Sequence, residues 1–202
     1  MIDFVKNKQE FEDYRSRFLR LFNSDKEIEN NIFNNELKYY LAFDFDYIFD
    51  NSFFDTLVMF LISIKSEKII FYTINPSPEN YFLSFNKYNV FSFSTSTDFN
   101  EFEDILYKEP DNNVIDSIGY SSNDIALFSS NSDEWAIAGS RDLEVAIIGF
   151  KTQDMKEYFS SFFTSFNPCL PIKEYIKDLD DSIGFNENQW TYYNRIIDSY
   201  TE

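Results

Sequence analysis

The run Ile125-Ala126-Leu127-Phe128-Ser129, the polar segment Ser130-Asn131-Ser132-Asp133-Glu134 and the run Trp135-Ala136-Ile137-Ala138 decide how this chain folds. Two short stretches rich in β-branched and aromatic residues, separated by five polar ones, read as a β-hairpin. Upstream, residues 81–85 and 90–94 read as a second hairpin across the polar segment 86–89. Antiparallel pairing is therefore written into the middle of the sequence.

Working outward, Lys68-Ile69-Ile70-Phe71-Tyr72-Thr73-Ile74 reads as a strand stopped by Asn75-Pro76-Ser77-Pro78. In Phe43-Asp44-Phe45-Asp46-Tyr47 aromatic and acidic residues alternate, which predicts a strand with its rings buried and both carboxylates outside. The run 143–150 is open between a strand and the start of a helix, because a short apolar run has no diagnostic period.

Helices bracket this region. Phe4, Phe11, Tyr14, Phe18, Leu21 and Phe22 recur at helical spacing over residues 3–22, and residues 53–64 have the composition of a buried helix. Asp98 reads as an N-cap with Glu101 as its capping-box partner for a helix over 98–107. Thr152 caps a helix over 153–163 that ends before the prolines Pro168 and Pro171. Helical patterns at 172–179 and 187–200 flank Gly184. No strand–helix alternation, repeat or linker intervenes, so the expectation is one α+β domain over residues 1–202. It has a central mixed or antiparallel sheet flanked by N-terminal and C-terminal helices.

Composition narrows the function. With 35 Asp and Glu against 17 Lys and Arg, the formal charge is −18, and His is absent. Such a chain repels nucleic acid and anionic membrane and attracts something basic. The missing His removes the commonest general base and metal ligand, together with every Ser-His or Cys-His nucleophile arrangement. Phe and Tyr number 25 and 14 against 4 Gly and 5 Pro, which predicts a folded protein. A single Cys169, no signal-peptide pattern and no membrane-length apolar run point to the cytoplasm.

The charge is uneven. Residues 1–38 carry 7 basic and 8 acidic side chains, so nearly all of the excess lies downstream. Between Asp98 and Glu134, ten acids stand against Lys108 alone: Asp98, Glu101, Glu103, Asp104, Glu109, Asp111, Asp116, Asp124, Asp133 and Glu134. A focused patch of this kind captures a cationic protein partner, and these ten are the predicted contact residues. The plain alternative is a solvated acidic face.

Enzymatic readings are few. Asp44-Phe45-Asp46 has the D-x-D form that can hold Mg²⁺ or Mn²⁺, a short pattern in an Asp-rich chain. The run Leu41-Ala42-Phe43-Asp44-Phe45-Asp46 resembles the nucleophile strand of haloacid-dehalogenase-like phosphatases, and the run 69–73, ending in Thr73, resembles that family's second motif. The flexible turn after Asp46 and the later acidic pair of that family are missing. Cys169 has no activating base, and no G-x-S-x-G, S-x-x-K or Gly-rich phosphate loop occurs. We therefore expect no catalysis, no cofactor and no metal.

The segment from Trp135 through Gly139, Arg141 and Glu144 to Gly149 resembles bacterial immunity proteins encoded beside polymorphic or contact-dependent toxins. The same residues allow a structural reading, in which Trp135 anchors a strand, a Gly turn follows and Arg141 pairs locally with Glu144, one helical turn on if the run is helical. The resemblance implies a cytoplasmic monomer or dimer that neutralises one cognate toxin, a basic protein such as a nuclease, by stoichiometric binding. Two alternatives stand beside it: a nucleic-acid mimic that blocks a DNA-binding defence enzyme, and the phosphatase dependent on Asp44.

Overall fold

The hairpin at the centre of the sequence is the centre of a six-stranded sheet. The computed structural model describes residues 2–34, 36–111, 113–163 and 167–200; Asn112 of the acidic segment's turn lies outside them. The strands are β1 (Tyr39–Phe43), β2 (Lys68–Asn75), β3 (Val90–Ser94), β4 (Asp124–Ser129), β5 (Trp135–Ser140) and β6 (Val145–Phe150). They lie in the order β1-β6-β5-β4-β2-β3, and every neighbouring pair is antiparallel.

Among the described residues there are eight α-helices: α1 (Lys8–Leu21), α2 (Asn51–Ser63), α3 (Pro78–Phe85), α4 (Phe99–Leu106), α5 (Ile118–Ser121), α6 (Gln153–Ser160), α7 (Ile172–Ile183) and α8 (Glu187–Ser199). One sheet face, with Ile70, Tyr72, Ala126, Phe128, Ala136 and Ile147, packs against α1, α7 and α8. The other, with Ile69, Phe71, Leu127, Trp135, Ile137 and Ile148, packs against α2, α4 and α6. The fold is α+β with a layer of helices on each side.

Burial on both faces explains why the run 143–150 carried no period. All six residues of β6 are buried, so no position alternates with solvent. Aromatic rings do much of the packing: Phe11 stacks on Tyr88 at 3.9 Å between centroids and Phe18 on Tyr72 at 4.5 Å, fixing α1 on β2. Asn7 starts that helix by accepting the N–H groups of Gln9 and Glu10.

Three expectations are corrected. The alternating stretch 43–47 is a strand only as far as Phe43; Asp44 caps a 3₁₀ turn over Phe45–Phe49, its carboxylate accepting the Asp46 N–H at 2.8 Å. Local side-chain capping overrides the period of two. Residues 81–85 are not a hairpin strand but the end of α3, begun by the Ser77 cap with Pro78 in the first turn and closed by Asn86 in the left-handed region. β3 pairs with β2 instead. Arg141 and Glu144 are not one helical turn apart: they lie in the β5–β6 turn, where the Glu144 N–H donates to the Arg141 carbonyl at 3.0 Å and Glu144 has φ 51°.

Other start signals hold. Asp98 accepts the Glu101 N–H at 2.9 Å, half of the expected capping box, and Thr152 accepts the Met155 N–H at 3.2 Å. The last two helices are joined through Gly184, whose φ of 70° suits a residue without Cβ.

Candidate functional site

Antiparallel order places the ends of β1, β5 and β2 at the same edge of the molecule as the starts of β6, β4 and β3. Carboxylates from separate segments collect at this edge. Asp124 opens β4 opposite Ser140, the last residue of β5, and the β5–β6 turn then brings Asp142 and Glu144 alongside. Asp44 and Asp46 follow β1. Burial pushes the ionisation of Tyr175 up, and the charges of Asp44, Glu144 and Asp46 add to the rise.

The one arginine in the turn is engaged with the fold. Arg141 donates to the carbonyls of Ser122 at 3.1 Å and Gly119 at 2.7 Å, while its guanidinium lies 5.0 Å over the Phe45 ring and 5.7 Å over Phe49. Asn123 clamps the neighbouring Asp142: its side-chain amide donates to the carboxylate at 2.9 Å and its amide oxygen accepts the Asp142 N–H at 3.2 Å. Among the described residues none of Asp44, Asp46, Asp124, Asp142 and Glu144 takes part in an ion pair.

The opposite end of the sheet is neutralised. Asp133 binds Arg17 at 2.8 Å and Arg20 at 3.9 Å, and Lys151 bridges Glu134 and Glu36 at 3.6 and 3.3 Å. Arg17 also donates to the Ser129 and Ser132 carbonyls, so this arginine holds the β4–β5 turn. The ten predicted contact residues thus do not form one surface. Asp98, Glu101, Glu103 and Asp104 lie on the exposed side of α4, opposite buried Phe102, Ile105 and Leu106. Glu109, Asp111 and Asp116 belong to the connection between α4 and α5. Asp124 lies at one end of β4 while Asp133 and Glu134 lie beyond the other, with roughly 17 Å of strand between.

Beside Asp124, on the face covered by α1 and α8, the surface opens into a cleft of about 420 Å³. Glu27, Glu29, Asp124 and Asp142 line it together with Lys26 and the aliphatic residues Ile28, Ile32, Ile74 and Leu143. Asp124 is half-buried, and burial raises its pKa above the ordinary carboxylate value, with Asp142 and Glu29 adding to the rise; the Ser140 hydroxyl and Asn75 amide face the carboxylate and oppose it.

No family model, curated protein or solved structure matches this chain. Asp44 follows β1 and Thr73 lies in β2, and a phosphatase would need the two side by side; β6, β5 and β4 separate those strands, roughly 19 Å at ordinary strand spacing. Thr73 is fully buried, its hydroxyl paired with Ser122 at 3.2 Å. Burial holds the Cys169 thiol well above its usual range, in the unreactive protonated form. Among the described residues no group of three or more acids or Cys is placed to hold a metal ion, and no helix is long and apolar enough to cross a membrane.

The sequence reading missed Glu27, Glu29, Asp44, Asp46, Asp142 and Glu144 as members of an acidic end. One signal was available for Asp142: extending the predicted hairpin pairing by two residues beyond Ala138 sets Ser140 against Asp124, and the following turn returns Asp142 to it.

Proposed function

We propose that this protein binds and neutralises a basic bacterial toxin by forming a stoichiometric complex, acting in the cytoplasm as a monomer or dimer, and that the acidic end of its sheet is the principal contact surface. The observation that carries this reading is the set Asp44, Asp46, Asp124, Asp142 and Glu144, five carboxylates gathered by three strand ends with no cation paired to them among the described residues. Charges held this way cost folding free energy through mutual repulsion. A positively charged partner relieves that cost, speeds encounter and gains specificity from a rigid arrangement. Inhibition by covering a toxin's basic substrate cleft requires no catalytic group of the inhibitor's own, in keeping with a chain that has no His.

The test is co-expression with the product of the adjacent upstream reading frame. Survival that depends on this chain, together with a complex that co-purifies at low salt and dissociates as salt rises, supports the reading. A harmless neighbour, or rescue without a complex, overturns it.

A further inference from the structure

The helix layer made by α2 and α6 carries an exposed apolar surface. Met59, Ile62 and Tyr158 are 50, 56 and 45% exposed. Met59 and Ile62, three positions apart on α2, are surface neighbours. Beside them the Phe60 ring meets the Tyr158 ring of α6 at 6.2 Å, and Tyr158 meets Phe162 at 5.2 Å, so the surface continues from one helix to the other. It is also nearly neutral. Residues 51–65 carry Asp55 and Lys65 as their only charges, and α6 adds Asp154, Lys156 and Glu157, in a chain whose formal charge is −18. Nothing on this face draws a basic protein, and its few lysines do not offset the repulsion between an anionic membrane and the chain as a whole. Two copies of this chain repel each other as well, and they can meet only where the surface is neutral.

The two charges on α2's exposed side are arranged to complement themselves. Asp55, Met59 and Ile62 stand at positions i, i+4 and i+7, one stripe of the helix, and exposed Lys65 follows its C-terminus. Asp55 and Lys65 are roughly 15 Å apart along the axis. Neither takes part in an ion pair among the described residues. A two-fold axis at the turn between Met59 and Ile62 lays α2 of a second copy end for end on the first. It sets Ile62 of that copy on Met59 and Lys65 of that copy on Asp55, and the symmetry repeats both contacts. We propose that this face of α2, extended by Tyr158, is the contact between two copies of the chain packed with their α2 helices antiparallel. The inference goes beyond the toxin reading and does not rest on it, since the contact uses none of Asp44, Asp46, Asp124, Asp142 and Glu144. One helix stripe per copy is a small interface, so the dimer forms by mass action at raised concentration.

The full chain is followed by sedimentation equilibrium from about 1 µM to about 1 mM, at low and at high salt. The proposal predicts a monomer–dimer equilibrium that strengthens as salt rises, because salt screens the repulsion between two chains of charge −18. The double variant Met59→Ser, Ile62→Ser weakens it at least tenfold, while Leu83→Ser, at the 83% exposed leucine of α3, leaves it within threefold. Lys65→Glu weakens it at least threefold, and adding Asp55→Lys restores it. Adding Asp13→Lys instead, the same change of net charge placed on α1 across the sheet, does not. Circular dichroism of each variant separates lost association from lost fold.

A monomer over the whole range, association that continues past the dimer, or a dimer that dissociates as salt rises overturns the proposal. So does equal restoration by Asp13→Lys, which would make net charge and not the Asp55–Lys65 pairing the cause. Each of these results leaves the toxin reading standing, and a harmless upstream gene product leaves the dimer standing.

Discussion

Asp124 and Ser140 face one another across the β4–β5 pair at the end of the sheet, and the turn that follows Ser140 returns Asp142 to the side of Asp124. Two carboxylates more than fifteen positions apart in the chain thereby line one cleft, and among the described residues no counterion is paired with either.

Asp124→Asn is expected to leave the fold at least as stable as the wild type at pH 7. The carboxyl pKa is raised in the folded state above its ordinary value of 3.8, so the ionised form costs stability above the raised value, and that cost disappears below the ordinary one. Melting temperatures measured from pH 7 to pH 3.5 should show the variant's advantage shrinking as pH falls through that interval. A variant less stable than the wild type at pH 7, with the deficit closing in acid, contradicts this account.

Arg141→Met removes both bonds to the Ser122 and Gly119 carbonyls and the contacts with Phe45 and Phe49. We expect a loss of about 2–4 kcal/mol in urea denaturation, since two carbonyls lose a charged donor together with the ring packing. Arg141→Lys keeps the charge but not the fork and should recover only part of it. A loss below about 0.5 kcal/mol would remove Arg141 from its place as the tie of this end.

Gly119 has no room for a side chain: an added Cβ would stand 2.5 Å from the Tyr107 ring. Gly119→Ala is expected to cost about 1–3 kcal/mol by overpacking, and the cost should disappear in a Tyr107→Ala background. Additive losses in the double variant would show that the two residues do not share the strain.

The acidic face of α4 and the acidic end of the sheet are separable by charge reversal. Glu101→Lys, Glu103→Lys and Asp104→Lys alter an exposed helix face without touching Phe102, Ile105 or Leu106, so the triple variant should unfold within about 1 kcal/mol of the wild type. The proposed contact surface predicts that it weakens a basic partner less than the same change at Asp46, Asp142 and Glu144. The reverse ranking would move the interface to α4.

The parts of the fold legible in the sequence were those whose signal was local. The β4–β5 hairpin, the Asp98 and Thr152 caps and the Gly184 break all follow from residues within a few positions of one another. What escaped depended on partners elsewhere. β6 had no period because helices lie on both of its faces, and the strand expected over 43–47 ended early because Asp44 turns its carboxylate back on the Asp46 N–H. Which acids share a surface was not legible for a related reason. Counting charge along residues 98–134 joined Asp124 to Asp133 and Glu134, which sit at opposite ends of the sheet, and left out Asp142 of the β5–β6 turn and Glu29 of the chain after α1, which line the same cleft as Asp124.

The central claim is that unpaired carboxylates at one end of the sheet hold a basic protein. Its most direct test is the affinity of the upstream gene product for three forms of this chain: the wild type, the triple variant Asp46→Asn, Asp142→Asn, Glu144→Gln, and the control Asp55→Asn, Asp154→Asn. The account predicts a salt-sensitive complex that weakens at least a hundredfold in the triple variant, about 2.7 kcal/mol, and stays within threefold in the control. Equal affinity for all three forms, or no complex with the wild type, would contradict it.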